Sequence, residues 1–183
     1  MRWSPLKPLA GVFSALVLLV VIAAVAVLIV MRPPAPVVVL PPLTGAVERI
    51  VVQKAARRMM LFQGGAVVRE YRIALGFAPL GTKERQGDGR TPEGNFKIDR
   101  RNAGSAYHLS LGINYPRPED VARAAKSGYD PGGDIFFHGQ PNALPDGAVL
   151  PGDWTAGCMA LTDAEMREIW DFVPIGTDVL ILP

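Results

Sequence analysis

The chain has 183 residues, 49% of them hydrophobic and 20% charged, with 19 Lys and Arg against 17 Asp and Glu. That balance suits one folded domain of ordinary size with an appendage, and it excludes wholesale disorder. The arginines are scattered among acids without the long basic block that tracks a phosphate backbone, which argues against nucleic acid as a partner.

Leu9 to Met31 (LAGVFSALVLLVVIAAVAVLIVM) carries no charge over about 23 residues. A helix of that length, rising ~1.5 Å per residue, exceeds the ~30 Å of a bilayer core, so a single transmembrane helix is expected. Arg2, Lys7 and the amino terminus precede the run and only Arg32 follows it. The positive-inside bias then keeps the short N-terminus in the cytoplasm and exports the rest, as a single-pass inner-membrane protein with its domain in the periplasm. A cleaved signal peptide ending at Ala24-Val25-Ala26 is the alternative, although the apolar run outlasts the ~7–15 residues of such a segment.

Residues 32–45 are read as a linker, in which Pro33 to Pro42 (PPAPVVVLPP) favours an extended, semi-rigid spacer. The remaining 46–183 form one domain. Glu48 to Lys54 and Arg58 to Gln63 are β-rich runs, and Gly64-Gly65 is a two-residue hairpin signal leading into Ala66 to Leu75. Gly76 to Gly94 is rich in Gly, Pro and charge and predicts a long surface loop of the kind tied to function or mobility. Strand pattern returns at Phe96 to Asp99 and Tyr107 to Ile113.

Pro118-Glu119-Asp120 with Gly128 beyond predicts a short helix. A second is signalled by Thr162-Asp163-Ala164-Glu165, a capping box, with Met166, Ile169, Trp170 and Val173 on one apolar face before Pro174. Between the helices Asp134 to His138 (DIFFH) is a strand candidate, and Asp178 to Leu182 closes the chain as a buried one. The expected fold class is mainly β with two helices, preceded by the transmembrane helix.

Cys158 is the single cysteine, in GDWTAGCMAL. An exported chain with one thiol has no internal disulfide, which leaves a small apolar filler, a bond to another chain, or a nucleophile. A nucleophile needs a base, and His138, ending an apolar strand just before Gly139, is placed to supply one. Gly157 permits the main chain to aim N–H groups at a carbonyl oxygen, as an oxyanion hole requires. Cys158, His138 and His108 lack the short ligand pair of a zinc site, so no metal and no cofactor is expected, and His108 reads as structural.

The strand-end His138-Gly139, the loop and helix GDWTAGCMALTDAEMREIWDFVPIGTDVLIL and the upstream GDGRTPEGNFKI resemble the L,D-transpeptidase catalytic (YkuD) domain family over nearly all of Val47 to Leu182. The DWTAGC and SLGINYP segments are similar to its YafK-type murein L,D-transpeptidase subgroup. The resemblance implies a YkuD-like β-sandwich or barrel. It implies, too, a role in cell-wall biogenesis: Cys158 would attack an L,D peptide bond at diaminopimelate in a peptidoglycan stem peptide, with His138 as base and then acid. N–H groups near Gly157 and Cys158, with the Thr155 hydroxyl and the backbone at Gly139, would frame the oxyanion.

An amine would then accept the acyl group as a cross-link. Water would give hydrolysis, for instance release of a wall-attached protein. A wall-binding module with an inert thiol is the third reading.

The family loop is Ser-His-Gly-Cys with Arg following one residue later. Here it reads Thr155-Ala156-Gly157-Cys158-Met159-Ala160, without the second imidazole or the arginine. Arg90 is the candidate replacement cation, or else a solvated loop charge. Trp154 either lines the substrate groove or pins the loop.

Overall fold

Gly64 and Gly65 take φ of +56° and +77°, the pair of left-handed residues that a two-residue hairpin turn needs to match the twist of its strands. They join β2 (Arg58–Gln63) to β3 (Ala66–Arg72). This computed structural model describes residues 10–31 and 41–183. The first nine residues and most of the expected proline-rich linker lie outside them.

β1 (Arg49–Gln53) runs antiparallel to β2, and β8 (Asp178–Leu182) lies parallel on its other side. β4 (Gly94–Asn102) turns a corner: Gly94 to Lys97 pair with β8, and Ile98 to Asn102 pair with β5 (Ser110–Ile113), with a bulge between Ile98 and Arg100. β6 (Phe136–His138) and β7 (Met159–Ala160) complete an eight-stranded sheet of order β3-β2-β1-β8-β4-β5-β6-β7. The sheet curls until single bridges, Ala74 to Ala160 and Gly76 to Thr155, tie the continuation of β3 to the β7 edge. Bulges permit such curvature, and closure removes exposed strand edges. The domain is mainly β, as the sequence implies, in a curled sheet.

α2 (Pro118–Lys126) starts with proline in its first turn, and buried Asp120 accepts hydrogen bonds from the Arg117 N–H and from the Arg117 and Arg123 guanidinium groups. α3 (Asp163–Phe172) carries the full capping box, with Glu165 N–H donating to Thr162 Oγ1 and Thr162 N–H donating to Glu165 Oε2. Met166, Ile169 and Val173 enter the core beside Ile50, Leu61, Leu111, Phe137 and Met159. Each such side chain contributes roughly 1.5–3 kcal/mol on burial. Trp170 stays half-buried beneath the Arg101 guanidinium, 4.0 Å from its ring centre.

Residues 77–93 have no regular structure but are tightly bonded. Asp88 accepts from the backbone N–H groups of Glu84, Arg85 and Arg90 and from buried Lys83. Those N–H groups hold its carboxyl below the ordinary carboxylate range, against the opposing effect of burial, the largest single influence on it. Lys54 is buried too, and donates to the carbonyl of Thr91 at 3.0 Å and to Glu93 at 2.7 Å.

A separate unit, residues 1–41, contains α1 (Ala10–Val30), 21 residues with no charged side chain. Among the described residues no helix is long and apolar enough to cross a membrane. Within α1 the described side chains are Ala15, Val17 to Val25 and Val27.

Candidate active site

Alternation along two short parallel strands sets the site. Phe137 pairs with Met159 and His138 with Ala160. Phe137 and Met159 are fully buried in the core. Their neighbours Phe136, His138 and Cys158 therefore point to the opposite face, because successive strand side chains alternate. There they line one cleft of about 470 Å³. Two cross-strand rows run beneath it. One, Asn102–Ser110–His138, lines it throughout, and of the next, Arg100–Gly112–Phe136, the Phe136 ring lines it, while Cys158 directly precedes Met159, the partner of Phe137. Strand rise and spacing put the Cα atoms of His138 and Cys158 roughly 8 Å apart, a gap that an imidazole arm can close.

His138 is buried, and its Nδ1 lies 2.7 Å from the Gly139 carbonyl. A carbonyl only accepts, so Nδ1 carries the proton and Nε2 keeps a lone pair. The Tyr107 ring stands 4.7 Å and the Trp154 ring 5.6 Å from the imidazole. Burial lowers the His138 pKa and the Gly139 bond partly opposes this, so the ring rests neutral at pH 7. Gly139 is required by close approach: a Cβ there would overlap the Asp163 carboxylate and come within 2.8 Å of His108 Cβ.

Cys158 Sγ sits 3.4 Å from the Asp134 carbonyl and donates to it. Burial pushes the thiol pKa up, opposed by the Phe136 N–H. The resting pair is thus thiol and neutral imidazole. Among the described residues the two are not hydrogen-bonded to each other.

The loop before the thiol is shaped by its own small residues. Thr155 Oγ1 donates to the Cys158 carbonyl at 2.7 Å and accepts the Gly157 N–H at 3.1 Å. Gly157 has φ of +133°, and a Cβ on it would lie 2.6 Å from the Arg90 carbonyl. The Cys158 N–H has no protein partner among the described residues. Upstream, Asp153 accepts from Leu75 N–H at 3.0 Å and from Arg57 at 2.7 Å, anchoring the loop to the β1–β2 turn. Trp154 lines the cleft, and its Nε1 is buried without a partner among the described residues.

His138, Cys158, Thr155 and Trp154 thus share one cleft, while Gly139 and Gly157 shape its backbone. Arg90 contributes its carbonyl to the Gly157 packing and sends its guanidinium to Glu84 at 3.3 Å. Sequence reasoning missed Tyr107, Asp134 and Asp153. The first fell inside a predicted strand, though the chain bends there and His108 takes φ of +62° before β5 starts at Ser110. Arg167 donates to His108 Nε2 at 3.1 Å, consistent with a structural imidazole. Among the described residues no three potential metal ligands gather.

The family model described as L,D-transpeptidase catalytic domain (YkuD) matches residues 47–181. This chain belongs to that family. YafK of Escherichia coli (strain K12), a proposed L,D-transpeptidase, is 30% identical over 105 residues, covering 56% of this chain and 36% of that protein. The chain thus matches little more than a third of its curated relative. Among solved L,D-transpeptidase-like folds, the helical cell shape determining protein Pgp2 of Campylobacter jejuni is 25% identical with a TM-score of 0.57, over 75% of this chain and 48% of that one. The L,D-transpeptidase of Xylanimonas cellulosilytica, 18% identical, shares the fold with a TM-score of 0.51 over 85% of this chain and 67% of its own.

Proposed function

We propose that this YkuD domain is a cysteine acyltransferase acting on diaminopimelate-containing peptidoglycan stem peptides. One observation carries the reading: His138 at the end of β6 and Cys158 just before β7 line one cleft, with Nδ1 tied to Gly139 and Nε2 available.

As the stem peptide's L,D bond enters, Nε2 takes the thiol proton and Sγ attacks the carbonyl carbon. Negative charge collects on the carbonyl oxygen, and the unpartnered Cys158 N–H is the donor available to it. Thr155 and Gly157 hold that amide in place. The imidazolium then protonates the leaving amine, the C–N bond breaks, and a thioester remains on Cys158. An incoming amine gives up a proton to Nε2, attacks the thioester, and returns the thiol.

A specific feature favours water as a second acceptor. Ala156 lines the cleft where the family pattern has histidine, and buried Ala160 stands where it has arginine. Neither offers a polar group to hold a large amine, so hydrolysis of a diaminopimelate-linked bond is the second reading.

The test is incubation of the purified protein and its Cys158→Ala variant with tetrapeptide muropeptides, read by mass spectrometry. Cross-linked dimers support transfer, and shortened monomers alone support hydrolysis. Equal products from both proteins, or none from either, refute both.

The reading extends to residues 1–31 as a membrane anchor and 32–45 as a spacer, with the domain at 46–183 in the periplasm. The uncharged α1 supports it. A reporter fused after Pro183 is then active outside the cytoplasm only, and cytoplasmic activity refutes the topology.

A further inference from the structure

We infer that Arg100 is the carboxylate receptor of the cleft, gripping a free carboxylate of the peptide next to the bond that Cys158 attacks. The inference rests on the acyltransfer reading for the identity of its ligand. Its observations are independent of that reading.

Arg100 opens the cross-strand row Arg100–Gly112–Phe136, and Cys158 directly precedes Met159, the β7 partner of the neighbouring Phe137. Its stem crosses β5 over Gly112. A Cβ at Gly112 would lie 2.6 Å from Arg100 Cγ and 2.8 Å from Nε, so only glycine leaves that path clear. The guanidinium ends 4.5 Å from the centre of the Phe136 ring, which lines the cleft. At one strand spacing, ~4.8 Å, the next strand over is β7, which begins directly after Cys158.

A flat cation stacked on an aromatic floor beside the nucleophile presents its outer edge to carboxylate oxygens in the two-pronged geometry that arginine favours. Two acids hold it at rest. Asp99 accepts from Nη1 at 3.0 Å through both oxygens, and Asp134 accepts from Nη2 at 3.2 Å. The Nη1 group also donates to the Ile113 carbonyl at 3.4 Å.

These partners differ in permanence. The Asp134 side chain is 89% exposed and lines the cleft, and an ion pair in that setting is held weakly. Its backbone meanwhile sits at φ of +54° and lends its carbonyl to the Cys158 thiol. An incoming carboxylate can therefore replace the Asp134 side chain on Nη2 while Asp99 keeps the guanidinium oriented. The other arginine considered for this role, Arg90, pairs with Glu84 at 3.3 Å.

Stem peptides offer two such carboxylates, one on the diaminopimelate side chain and one at the terminus of the leaving amino acid. The test measures Kd on the Cys158→Ala protein by calorimetry, with tetrapeptide bearing both carboxylates and with versions amidated at one or the other. Amidation of the recognised carboxylate is expected to weaken binding roughly ten- to hundredfold. Arg100→Ala weakens the free acid by the same factor and abolishes sensitivity to amidation. Arg100→Lys recovers part of the loss. Asp134→Asn removes the resident competitor and tightens binding of the free acid.

Amidation effects that persist undiminished in Arg100→Ala overturn the inference, as does weaker binding in Asp134→Asn. Turnover by the Cys158 protein with no amidation effect sinks Arg100 and leaves acyltransfer standing. Arg100-dependent binding without turnover does the reverse. Absence of binding by any peptide refutes both.

Discussion

The Thr155 hydroxyl donates to the carbonyl of Cys158 at 2.7 Å, and the same oxygen accepts the N–H of Gly157. One side-chain atom thereby closes the turn that carries the thiol. Thr155→Val keeps the shape and removes the oxygen, leaving the buried Gly157 N–H unsatisfied at about 1–3 kcal/mol. The expected result is a lower midpoint in urea unfolding and a loss of turnover of ten-fold or more. Thr155→Ser restores both. An unchanged midpoint in Thr155→Val would show that the turn is held by other contacts.

The thiol and imidazole make opposite demands on pH. His138 has its pKa lowered by burial from an ordinary 6.5. Between its folded value and 6.5 the unfolded chain binds more protons, so stability is complete above 6.5 and is lost as pH falls through that window. Cys158 has its pKa raised by burial from an ordinary 9.0. Above 9.0 the unfolded chain is the more readily deprotonated form, so stability is complete below 9.0 and lost as pH rises beyond it.

Chemistry gives the sharper check. Iodoacetamide reacts with thiolate, so alkylation of the resting protein should climb only above pH 9, with the same midpoint in His138→Gln. Full reactivity at pH 6 would mean a thiolate–imidazolium pair instead.

Much of this framework was legible in the sequence because local signals and tertiary contacts agree. The Thr162–Glu165 box and the Met166, Ile169, Val173 stripe define α3, and the Gly64-Gly65 turn fixes the hairpin register. β7 escaped notice because two residues cannot show a period, and only pairing with β6 and Ala74 makes Met159-Ala160 a strand. β4 runs past the expected Asp99 to Asn102 because Arg100 and Arg101 have aromatic partners, Phe136 and Trp170, that a charge pattern conceals. The 76–94 segment looked like surface because buried lysines are rare. Here Lys54 and Lys83 find carboxylate and carbonyl partners.

Asp153 ties the loop that carries Cys158 to Arg57, 96 positions away, and to the Leu75 amide. Arg57 itself takes φ of +49°. Asp153→Asn loses the ion pair and keeps an acceptor for the amide, whereas Asp153→Ala loses both. Stability should fall in the order wild type, Asn, Ala, with the alanine variant lower by about 1–3 kcal/mol. Limited proteolysis should cut the 141–153 segment faster in the same order. Equal cutting rates in all three proteins would mean that Asp153 does not anchor the loop.

Gly112 offers a way to move the Arg100 cation without changing charge. It lies in the middle of β5, outside the left-handed region, so alanine is compatible with its backbone. The added methyl collides with the Arg100 stem at 2.6 Å and must lift the guanidinium off Phe136. Because Arg100 is partly exposed, it can swing into solvent, and the unfolding midpoint should change little. Affinity of the Cys158→Ala protein for the free-acid tetrapeptide should drop toward that of the Arg100→Ala variant, and amidation should cease to matter. A Gly112→Ala protein that still distinguishes acid from amide would show that the carboxylate is read from somewhere other than the seat on β5.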